Sequence, residues 1–484
     1  ASWMGGADVA GGREVLIRAG IPSFDYPDTA ARAFQYMWRY SENLRGLYET
    51  PGLASQEADS PAQRAEATAI INKAMDEGRT LLTEFEAKQL MASYGIPTVP
   101  TFIATTVEEA AKRAEEIGFP VVLKLHSETV THKTDVGGVK LNLANVDEVR
   151  AAFSAIQKGV AEKASAADFG GVTVQPMIKL DGYELIIGSS IDSQFGPVLL
   201  FGTGGQLVEV FKDRALGLPP LNTTLARRMM ENTKIFHALQ GVRGRAPVDI
   251  AALENLLVRF SRLVAENPRI KEIDINPLLA SAENLIALDA RVLLHEGDIA
   301  DEDLPTTAIR PYPAQYVSHV ELEDGTALTV RPIRPEDEPL MVQFHSTLSE
   351  RSVFQRYAQP LALSQRTAHE RLIRVCYNDY ARELALLATR RDAGGKDEIL
   401  GIARLTRDAA TPDARFALLV SDTFQGHGLG RELLGRLLEV AREEKVQALY
   451  ADMFADNSAM RHICEELGFG FEPAGDMLRA QITL

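Results

Sequence analysis

A glycine-rich stretch between residues 425 and 430 carries the clearest chemical signal in the sequence, because its glycines stand at alternate positions. It follows an apolar run, residues 416–420, and precedes a segment in which leucines recur at helical spacing. The order of strand, glycine loop and helix turns backbone amides and the positive end of a helix dipole toward one point. The pattern therefore predicts an anion site suited to a pyrophosphate, formed by Gln425, Gly426, His427, Gly428, Leu429, Gly430 and Arg431.

The loop differs from a dinucleotide fingerprint, which requires Gly-x-Gly-x-x-Gly and an acidic residue about 20 residues later. A second strand and a helix that begins at Asn457 follow it, and this order resembles the acetyl-CoA-binding motif of the GNAT N-acetyltransferase superfamily. The resemblance implies that the loop holds the CoA pyrophosphate, while backbone amides from Leu418 to Val420 hold the pantetheine arm and the thioester carbonyl. It leaves two roles open: Asn457 contacts CoA or only caps its helix, and His427 contacts the pyrophosphate or stays in solvent.

A second set of residues suited to phosphate lies in the first half of the chain. Lys124 stands near the end of an apolar strand, residues 121–125, and a basic turn containing Lys133, Gly137 and Gly138 leads into the next strand. Cations and free amides on one side of such a flap suit phosphates. Magnesium beside phosphates needs hard oxygen ligands. Carboxylate and amide oxygens at apolar strands further along come from Glu184, Asn276 and Asp289.

In this order the motifs resemble the ATP-grasp domain of NDP-forming acyl-CoA synthetases over residues 80–295. The resemblance implies a site for ATP or ADP with Mg²⁺. Its implied members are Lys124, Lys133, Gly137 and Gly138 at the phosphates, Gln175 and Met177 on the adenine strand, Glu184 at the nucleotide, and Asn276 and Asp289 on Mg²⁺. The resemblance also implies that Glu209 orients a phosphohistidine, while His132 is either a phosphate acceptor or a solvent-bonded loop histidine.

Composition limits the classes of function. The chain has 484 residues, enough for two to four domains, and its 45% hydrophobic content is ordinary for a globular protein. A net charge of −16 argues against a general nucleic-acid surface, since duplex binding requires phosphate-neutralising lysine and arginine. The two cysteines indicate a reducing compartment, and no apolar run is long enough to span a membrane. We therefore expect a cytoplasmic protein that contacts neither nucleic acid nor membrane.

The expected fold is a multidomain α/β chain with an ATP-grasp fold followed by a mixed-sheet GNAT fold. Residues 1–60 resemble the C-terminal end of a CoA-ligase domain, and because they do not close a domain we expect a longer N-terminal part to precede Ala1. Residues 61–298 form the predicted ATP-grasp domain. The predicted linker, residues 299–326, contains Pro305, Pro311 and Pro313 and leads to the GNAT domain at residues 327–484.

The order of an acyl-CoA synthetase module followed by a GNAT domain resembles bacterial protein lysine acetyltransferases of the Pat type. The resemblance implies a protein lysine acceptor, although a small-molecule amine and a homo-oligomeric assembly stay open. In that family a glutamate on the strand before the loop is the general base, whereas this sequence has Arg415. A guanidinium cannot accept the proton.

Three explanations of this departure stay open. Glu383, on a neighbouring strand, acts as the base directly or through a water. The domain instead senses acetyl-CoA without fast transfer, or Arg415 indicates an acceptor with an anionic group near its amine. A separate alternative makes the chain part of an ADP-forming acyl-CoA ligase with an accessory GNAT domain.

Overall fold

The computed structural model describes residues 1–2, 4–47, 50, 61–130, 133–179, 181–205, 213–242, 246–391 and 394–484. The chain forms two compact units. The first unit comprises Pro51–Pro313 with Asp379–Ala381, and the second comprises Ala1–Thr50, Ala314–Asn378 and Arg382–Leu484. Two residues singled out in the sequence, His132 and Glu209, lie outside the described residues, so their roles stay predictions.

Two helices, Ala10–Arg18 and Pro27–Leu47, dominate the N-terminal segment. The second helix leaves Phe34 71% exposed and Trp38 57% exposed. Aromatic side chains of this helix therefore lie at its surface. Among the described residues, no helix combines the length and the apolarity needed to cross a lipid bilayer.

The first unit contains two antiparallel sheets. The smaller has the order β1-β4-β2-β3, with strands β1 Phe102–Ala104, β2 Val121–Leu125, β3 Val139–Leu143 and β4 Val172–Pro176. Helices Val107–Ile117 and Val146–Lys163 cover it, and their first turns are capped by the side chains of Thr106 and Asn145. The buried residues of this sheet form one core with those of the two helices.

The larger sheet of the first unit has the order β10-β8-β5-β6-β7, with β9 paired to β8. Its strands are β5 Tyr183–Asp192, β6 Gly196–Thr203, β7 Arg214–Gly217, β8 Ile270–Ala280, β9 Leu285–Ala287 and β10 Ala290–Leu294. The helices of its core are Pro61–Asp76, Glu84–Ser93, Thr223–Glu231, Ile235–Leu239 and Ile250–Glu266. Alternate residues of β8, Ile273 and Ile275, are buried because every second side chain of a strand faces the same side.

The second unit is built on one eight-stranded sheet of order β11-β12-β13-β14-β15-β16-β18-β17. Its strands are β11 Ser318–Glu321, β12 Ala327–Pro332, β13 Glu383–Arg391, β14 Asp397–Arg407, β15 Ala414–Val420, β16 Ala448–Met453, β17 Gly470–Ala474 and β18 Met477–Thr483. Strands β15 and β16 are parallel, and the other neighbours are antiparallel. Strand β11 lies within the segment that the sequence analysis treats as linker.

Helices cover both faces of this sheet. Alternate residues of β13, Leu384 and Leu386, pack with helix Leu429–Glu443, while Ala385 and Leu387 pack with the helices before β13. Those earlier helices are Glu338–Ser346, Glu350–Tyr357, Leu363–Arg366 and His369–Cys376. The last helix is Ser458–Glu466. Because both faces of β13 are covered, its sequence is a continuous apolar run rather than an alternating one.

Candidate functional site

The backbone of the glycine loop is left-handed at two of its glycines. Gly426 and Gly428 have φ angles of 84° and 81°, and Gly428 directly precedes helix Leu429–Glu443. A Cβ atom at either position would meet no atom within 4 Å, so the left-handed backbone, not a lack of space, requires glycine. At Gly430 the reason is packing, because a Cβ atom would approach Ile463 Cδ1 to 2.9 Å. The first amides of the helix lack partners within the helix itself, and the loop before them has open space at Gly426 and Gly428.

A cavity of about 600 Å³ opens where β15 and β16 separate. The two strands pair only at Ala414 with Leu449 and at Arg415 with Tyr450. Beyond this point residues 416–420 and 451–453 line the two sides of the cavity. The structure brings together six residues predicted to bind acetyl-CoA at this cavity: Leu418, Val420, Gln425, Gly426, Gly430 and Asn457. The predicted members His427, Gly428, Leu429 and Arg431 belong to the same loop and helix but do not line the cavity.

Polar contacts hold the loop in place. The side-chain amide of Gln425 donates to the Val420 carbonyl at 3.3 Å and to Ser352 Oγ at 3.1 Å. His427 Nδ1 lies 2.8 Å from Asp324 Oδ2, which makes His427 a partner of the β11–β12 turn. Hydrogen bonds from Thr326, and then from His427, lower the pKa of Asp324 to about 2. Asn457 Oδ1 accepts the Met460 amide at 3.2 Å, so this side chain both caps its helix and lines the cavity.

The carboxylate proposed as general base has a cationic partner. Glu383 Oε2 lies 3.1 Å from a guanidinium nitrogen of Arg404, and Glu383 is not among the described residues that line the cavity. Arg415, which the resemblance aligned with a catalytic glutamate, is 58% exposed at its side chain and 3.9 Å from Asp452. Arg404, Arg415 and Asp452 all line the cavity. The role of Glu383 as base therefore stays a prediction, with Arg404 next to it.

Several residues that line the cavity lie outside the motifs of the sequence. Arg356 and Tyr357 end a helix, Arg404 lies on β14 and Asp452 on β16. No local motif marks these positions, because they come together only through the sheet order. The thiol of Cys464 belongs to the buried core, and burial raises its pKa to about 12.

In the first unit a cavity of about 1000 Å³ lies between the two sheets. Six residues that the resemblance assigned to ATP and Mg²⁺ line it together: Lys124, Gln175, Met177, Glu184, Asn276 and Asp289. They come from β2, from β4 and the residue directly after it, from β5 and β8, and from the turn before β10. Residues separated by more than 150 positions in sequence thus meet around one space.

Glu84 holds two residues that line this cavity, Lys124 and Gln175, although no motif in the sequence marked it. Its carboxylate accepts the Lys88 ammonium at 2.8 Å, the Lys124 ammonium at 2.9 Å and the Gln175 amide at 2.8 Å. The Lys133 ammonium also donates to it. Burial raises the pKa of Glu84, but the charges of Lys124, Lys133 and Lys88 outweigh burial and hold that pKa well below its usual range. The available signal was the Glu84–Lys88 spacing of four residues at a helix start.

The turn after β2 closes on itself. The Gly138 amide donates to the Lys133 carbonyl at 2.7 Å, and the Gly137 amide donates to the Thr134 carbonyl at 3.0 Å. A Cβ atom at Gly138 would lie 2.8 Å from the Lys133 carbonyl oxygen, so only glycine fits. In this structure both amides stabilise the turn instead of facing a ligand, and they position Lys133 beside Glu84.

The oxygen atoms at this cavity fit Mg²⁺. Asn276 Oδ1 accepts the Gly205 amide at 2.9 Å, and Asp289 Oδ1 accepts the Ala290 amide at 3.0 Å, which fixes both side chains. Among the described residues, no group of three or more His, Cys, Asp or Glu side chains could hold a metal ion. Magnesium needs only one or two carboxylates when phosphate and water supply its other ligands. Asn276 and Asp289 are therefore suited to hold it when a nucleotide is bound.

Family models match both units. Residues 73–294 match the ATP-grasp domain, and residues 327–470 match the acetyltransferase (GNAT) domain. The α/β multidomain fold class predicted from the sequence is thereby confirmed. The two domains fit the predicted ligands, which are acyl-CoA in the GNAT domain and ATP or ADP with Mg²⁺ in the ATP-grasp domain.

Curated relatives agree with this division. The β subunit of the ADP-forming acetate–CoA ligase I of Pyrococcus furiosus is 44% identical over 231 residues, which is 48% of this chain and 98% of that subunit. The ADP-forming acetate–CoA ligase I of Archaeoglobus fulgidus is 37% identical over 294 residues, which is 61% of this chain but only 42% of that enzyme. An acetyltransferase of Pseudomonas aeruginosa is 30% identical over 148 residues, which is 31% of this chain and 77% of that protein.

The similarity to the ligase subunit covers nearly all of that subunit, and the similarity to the acetyltransferase covers most of that protein. The matched family models describe the same two kinds of domain, an ATP-grasp domain and an acetyltransferase (GNAT) domain. The chain therefore belongs to the ADP-forming acyl-CoA synthetases through its ATP-grasp domain and to the GNAT acetyltransferases through its C-terminal domain.

Proposed function

We propose that this chain is an acetyl-CoA-dependent N-acetyltransferase of the Pat type, which modifies an amine such as a protein lysine in the cytoplasm. The separation of β15 and β16 above the glycine loop carries the proposal. If the pyrophosphate of acetyl-CoA binds at the helix start, the pantetheine arm can lie along residues 416–420 and point toward Arg404, Arg415 and Asp452. The two cysteines, both free and buried, are compatible with a reducing compartment.

Acyl transfer from a thioester to an amine requires a neutral amine, a donor for the developing oxyanion and a stable leaving thiolate. Backbone amides of β15 beyond its last pair with β16 supply the donor, since that part of the strand has no partner on the β16 side. Glu383 removes the proton directly or through a water, after its carboxylate leaves Arg404. The guanidinium groups of Arg404 and Arg415 then lie where negative charge develops.

The test of transfer follows thiol release from acetyl-CoA in the presence of lysine-bearing peptides and small amines. We expect wild-type protein to release CoA only when an amine is present. Gly428→Val should abolish release, because valine at a φ of 81° distorts the loop. If acetyl-CoA binds but no amine yields thiol release, the domain is a sensor and the transferase proposal is wrong.

The ATP-grasp domain supports a second candidate function, which is nucleotide binding for phosphoryl transfer as part of an ADP-forming acyl-CoA ligase. The meeting of Lys124, Glu184, Asn276 and Asp289 around one cavity favours it. Because the chain spans 42% of the Archaeoglobus ligase, we propose full ligase turnover only when the remaining part of such a ligase is supplied. Alone, the chain would bind Mg-nucleotide and regulate the acetyltransferase.

Calorimetry with Mg-ATP tests this second function. Lys124→Ala should weaken binding by about tenfold to a hundredfold, the usual range for loss of one charged hydrogen bond. Lys112→Ala is the matched control, because this lysine is 76% exposed at its side chain and does not line the cavity. Equal affinities of the two variants for Mg-ATP would contradict the assignment of Lys124.

A further inference from the structure

We call the cavity between β15 and β16 the acyl-transfer cavity. A second cavity of about 450 Å³ lies beside it in the GNAT domain. The two cavities share Arg356, Tyr357, Arg404, Ala417 and Leu419. The second cavity is otherwise lined by side chains from helices Glu338–Ser346 and His369–Cys376 and from β14. Of the residues predicted to bind CoA, only Leu419, within the segment Leu418 to Val420, also lines the second cavity. We call this second cavity the acceptor cavity.

The acceptor cavity is rich in arginine. Four guanidinium groups line it, and the described lining residues include one carboxylate, Glu370; the four are Arg356, Arg371, Arg374 and Arg404. This concentration of positive charge occurs in a chain whose net charge is −16. An anionic ligand would be electrostatically complementary to these four guanidinium groups.

Three of the four arginines have no carboxylate partner among the described residues. No ion pair within 4.0 Å involves Arg356, Arg371 or Arg374 in the part of the chain that the structure describes, whereas Arg404 pairs with Glu383. The guanidinium carbons of Arg356 and Arg371 lie 4.9 and 4.7 Å from the centre of the Tyr357 ring. Stacking on one ring holds these two planar groups in place while their N–H donors stay available.

A buried polar atom in the same wall supports a ligand independently. His345 lines the acceptor cavity and is only 2% exposed, and its Nδ1 atom has no hydrogen-bond partner among the described residues. Burial, together with Arg366 and Arg371, lowers the pKa of His345 to about 4. At neutral pH the ring is thus uncharged, and a buried ring nitrogen without a partner is costly unless a ligand satisfies it.

We propose that the acceptor cavity binds the carboxylate of a small amine, of the size of an amino acid, and that this molecule is the acyl acceptor. This inference rests on the proposed acetyltransferase function, and it makes a small carboxylate-bearing amine, not a protein lysine, the acceptor. A guanidinium presents paired donors that match the two oxygens of a carboxylate. The volume suits a small molecule. Arg415 lines the adjoining acyl-transfer cavity and adds a further positive charge, where the resemblance implied a glutamate. An acceptor with a carboxylate is favoured by this added charge.

The same charges assist the chemistry. Neighbouring cations disfavour a protonated amine, so a bound ammonium group loses its proton more readily beside Arg356 and Arg404. The carboxylate compensates for the repulsion and keeps the acceptor bound. The amine nitrogen then forms a bond to the acyl carbon, the carbon–sulfur bond breaks, and the thiolate leaves with the electron pair. One proton of the amine passes to Glu383 or water, and the thiolate takes up a proton from solvent.

The experiment compares amino acids with their α-amides, which lack the carboxylate, as acceptors for the full chain. We expect the amino-acid series to contain acceptors whose kcat/KM exceeds that of the matched amide by at least about tenfold, the effect of one charged hydrogen bond. Arg371→Gln and Arg374→Gln should each raise the acceptor KM by a similar factor and leave the acetyl-CoA KM unchanged. These two arginines line only the acceptor cavity.

Three controls accompany these variants. Arg391→Gln removes an arginine that is 81% exposed at its side chain and lies in neither cavity, and it should leave the acceptor KM unchanged. Arg371→Lys keeps the charge and should recover part of the affinity. Unchanged acetyl-CoA binding by each variant shows that the domain is folded.

Calorimetry with N-acetyl amino acids separates this inference from the proposed function. If no amine releases thiol but the N-acetyl amino acids bind in a manner that depends on Arg371 and Arg374, the transferase proposal fails and the carboxylate site stands. If amides and neutral lysine peptides react as well as amino acids and the glutamine variants behave as wild type, the carboxylate site is wrong. Displacement by inorganic phosphate at lower concentrations than by any carboxylate would also overturn it.

Discussion

Glu383 and Arg404 form an ion pair beside the acyl-transfer cavity, which Arg404 and Arg415 both line. If Glu383 takes the proton of the amine, Glu383→Gln should lower kcat by about a hundredfold, which is within the usual contribution of a general base. The KM for acetyl-CoA should not change, because Glu383 does not line that cavity. Thiol release at saturating acetyl-CoA measures both quantities.

Glu398→Gln is the matched control for this substitution. Glu398 also lies in this sheet and pairs with an arginine, Arg390, at 2.5 Å, and it lines neither cavity of the domain. It should leave kcat within about twofold of wild type, as surface substitutions usually do. Equal kcat values for both variants would show that Glu383 only neutralises Arg404.

His345 makes a pH-dependent contribution to stability. Its folded pKa of about 4 lies below the ordinary 6.5, so between these values the unfolded chain binds a proton that the folded chain does not. The free energy of unfolding should therefore rise with pH across this window, by roughly 3 kcal/mol for a group so strongly shifted. Urea unfolding of wild type and His345→Asn at pH 4.5, 5.5 and 7 measures the slope. A slope that is as steep in His345→Asn would show that other groups cause it.

At the scale of elements, Gly428 in the glycine loop and Gly435 in the helix after it differ in what they require of the backbone. Gly428 has a φ of 81°, whereas Gly435 lies within helix Leu429–Glu443 and has open space where the methyl group of an alanine would lie. Gly428→Ala should lower the free energy of unfolding by about 1 to 2 kcal/mol, because alanine is strained in the left-handed region. Gly435→Ala should raise it by about 0.5 to 1 kcal/mol, because alanine favours the helix.

Thermal unfolding of the two variants, with and without acetyl-CoA, checks this difference. The ligand should stabilise Gly435→Ala as much as wild type and stabilise Gly428→Ala less. A lower melting temperature for Gly435→Ala than for Gly428→Ala would contradict the loop geometry.

At the scale of the whole molecule, the two units hold separate cavities, and each ligand should protect the strands around its own cavity most strongly. Binding to the folded state alone stabilises that state by mass action. Hydrogen exchange should therefore slow at residues 418–431 with acetyl-CoA and at residues 121–125 and 270–280 with Mg-ATP. Gly428→Val should abolish only the first effect and Lys124→Ala only the second. Loss of both effects in either variant would contradict the assignment of the ligands to separate cavities.

The sequence by itself determined the features that depend on neighbours along the chain. The alternating glycines of 426–430 and the following leucines specify a loop and a helix, because left-handed backbone and helical spacing are local properties. The same holds for Lys124 at its strand and for the apolar strands of both domains. These local patterns, in their order, were enough to predict both folds and many of the residues that line the two ligand cavities.

The tertiary structure alone decided which charges meet. The sequence around Glu84 shows only a helix start, and the fold places Lys124, Lys133 and Gln175 within hydrogen-bonding distance of its carboxylate. Sheet order and register likewise place Glu383 beside Arg404. They also bring the arginines of three separate elements together around the acceptor cavity. Electrostatic interactions depend on distance in space, and the distances between residues far apart in sequence are fixed only when the strands pair.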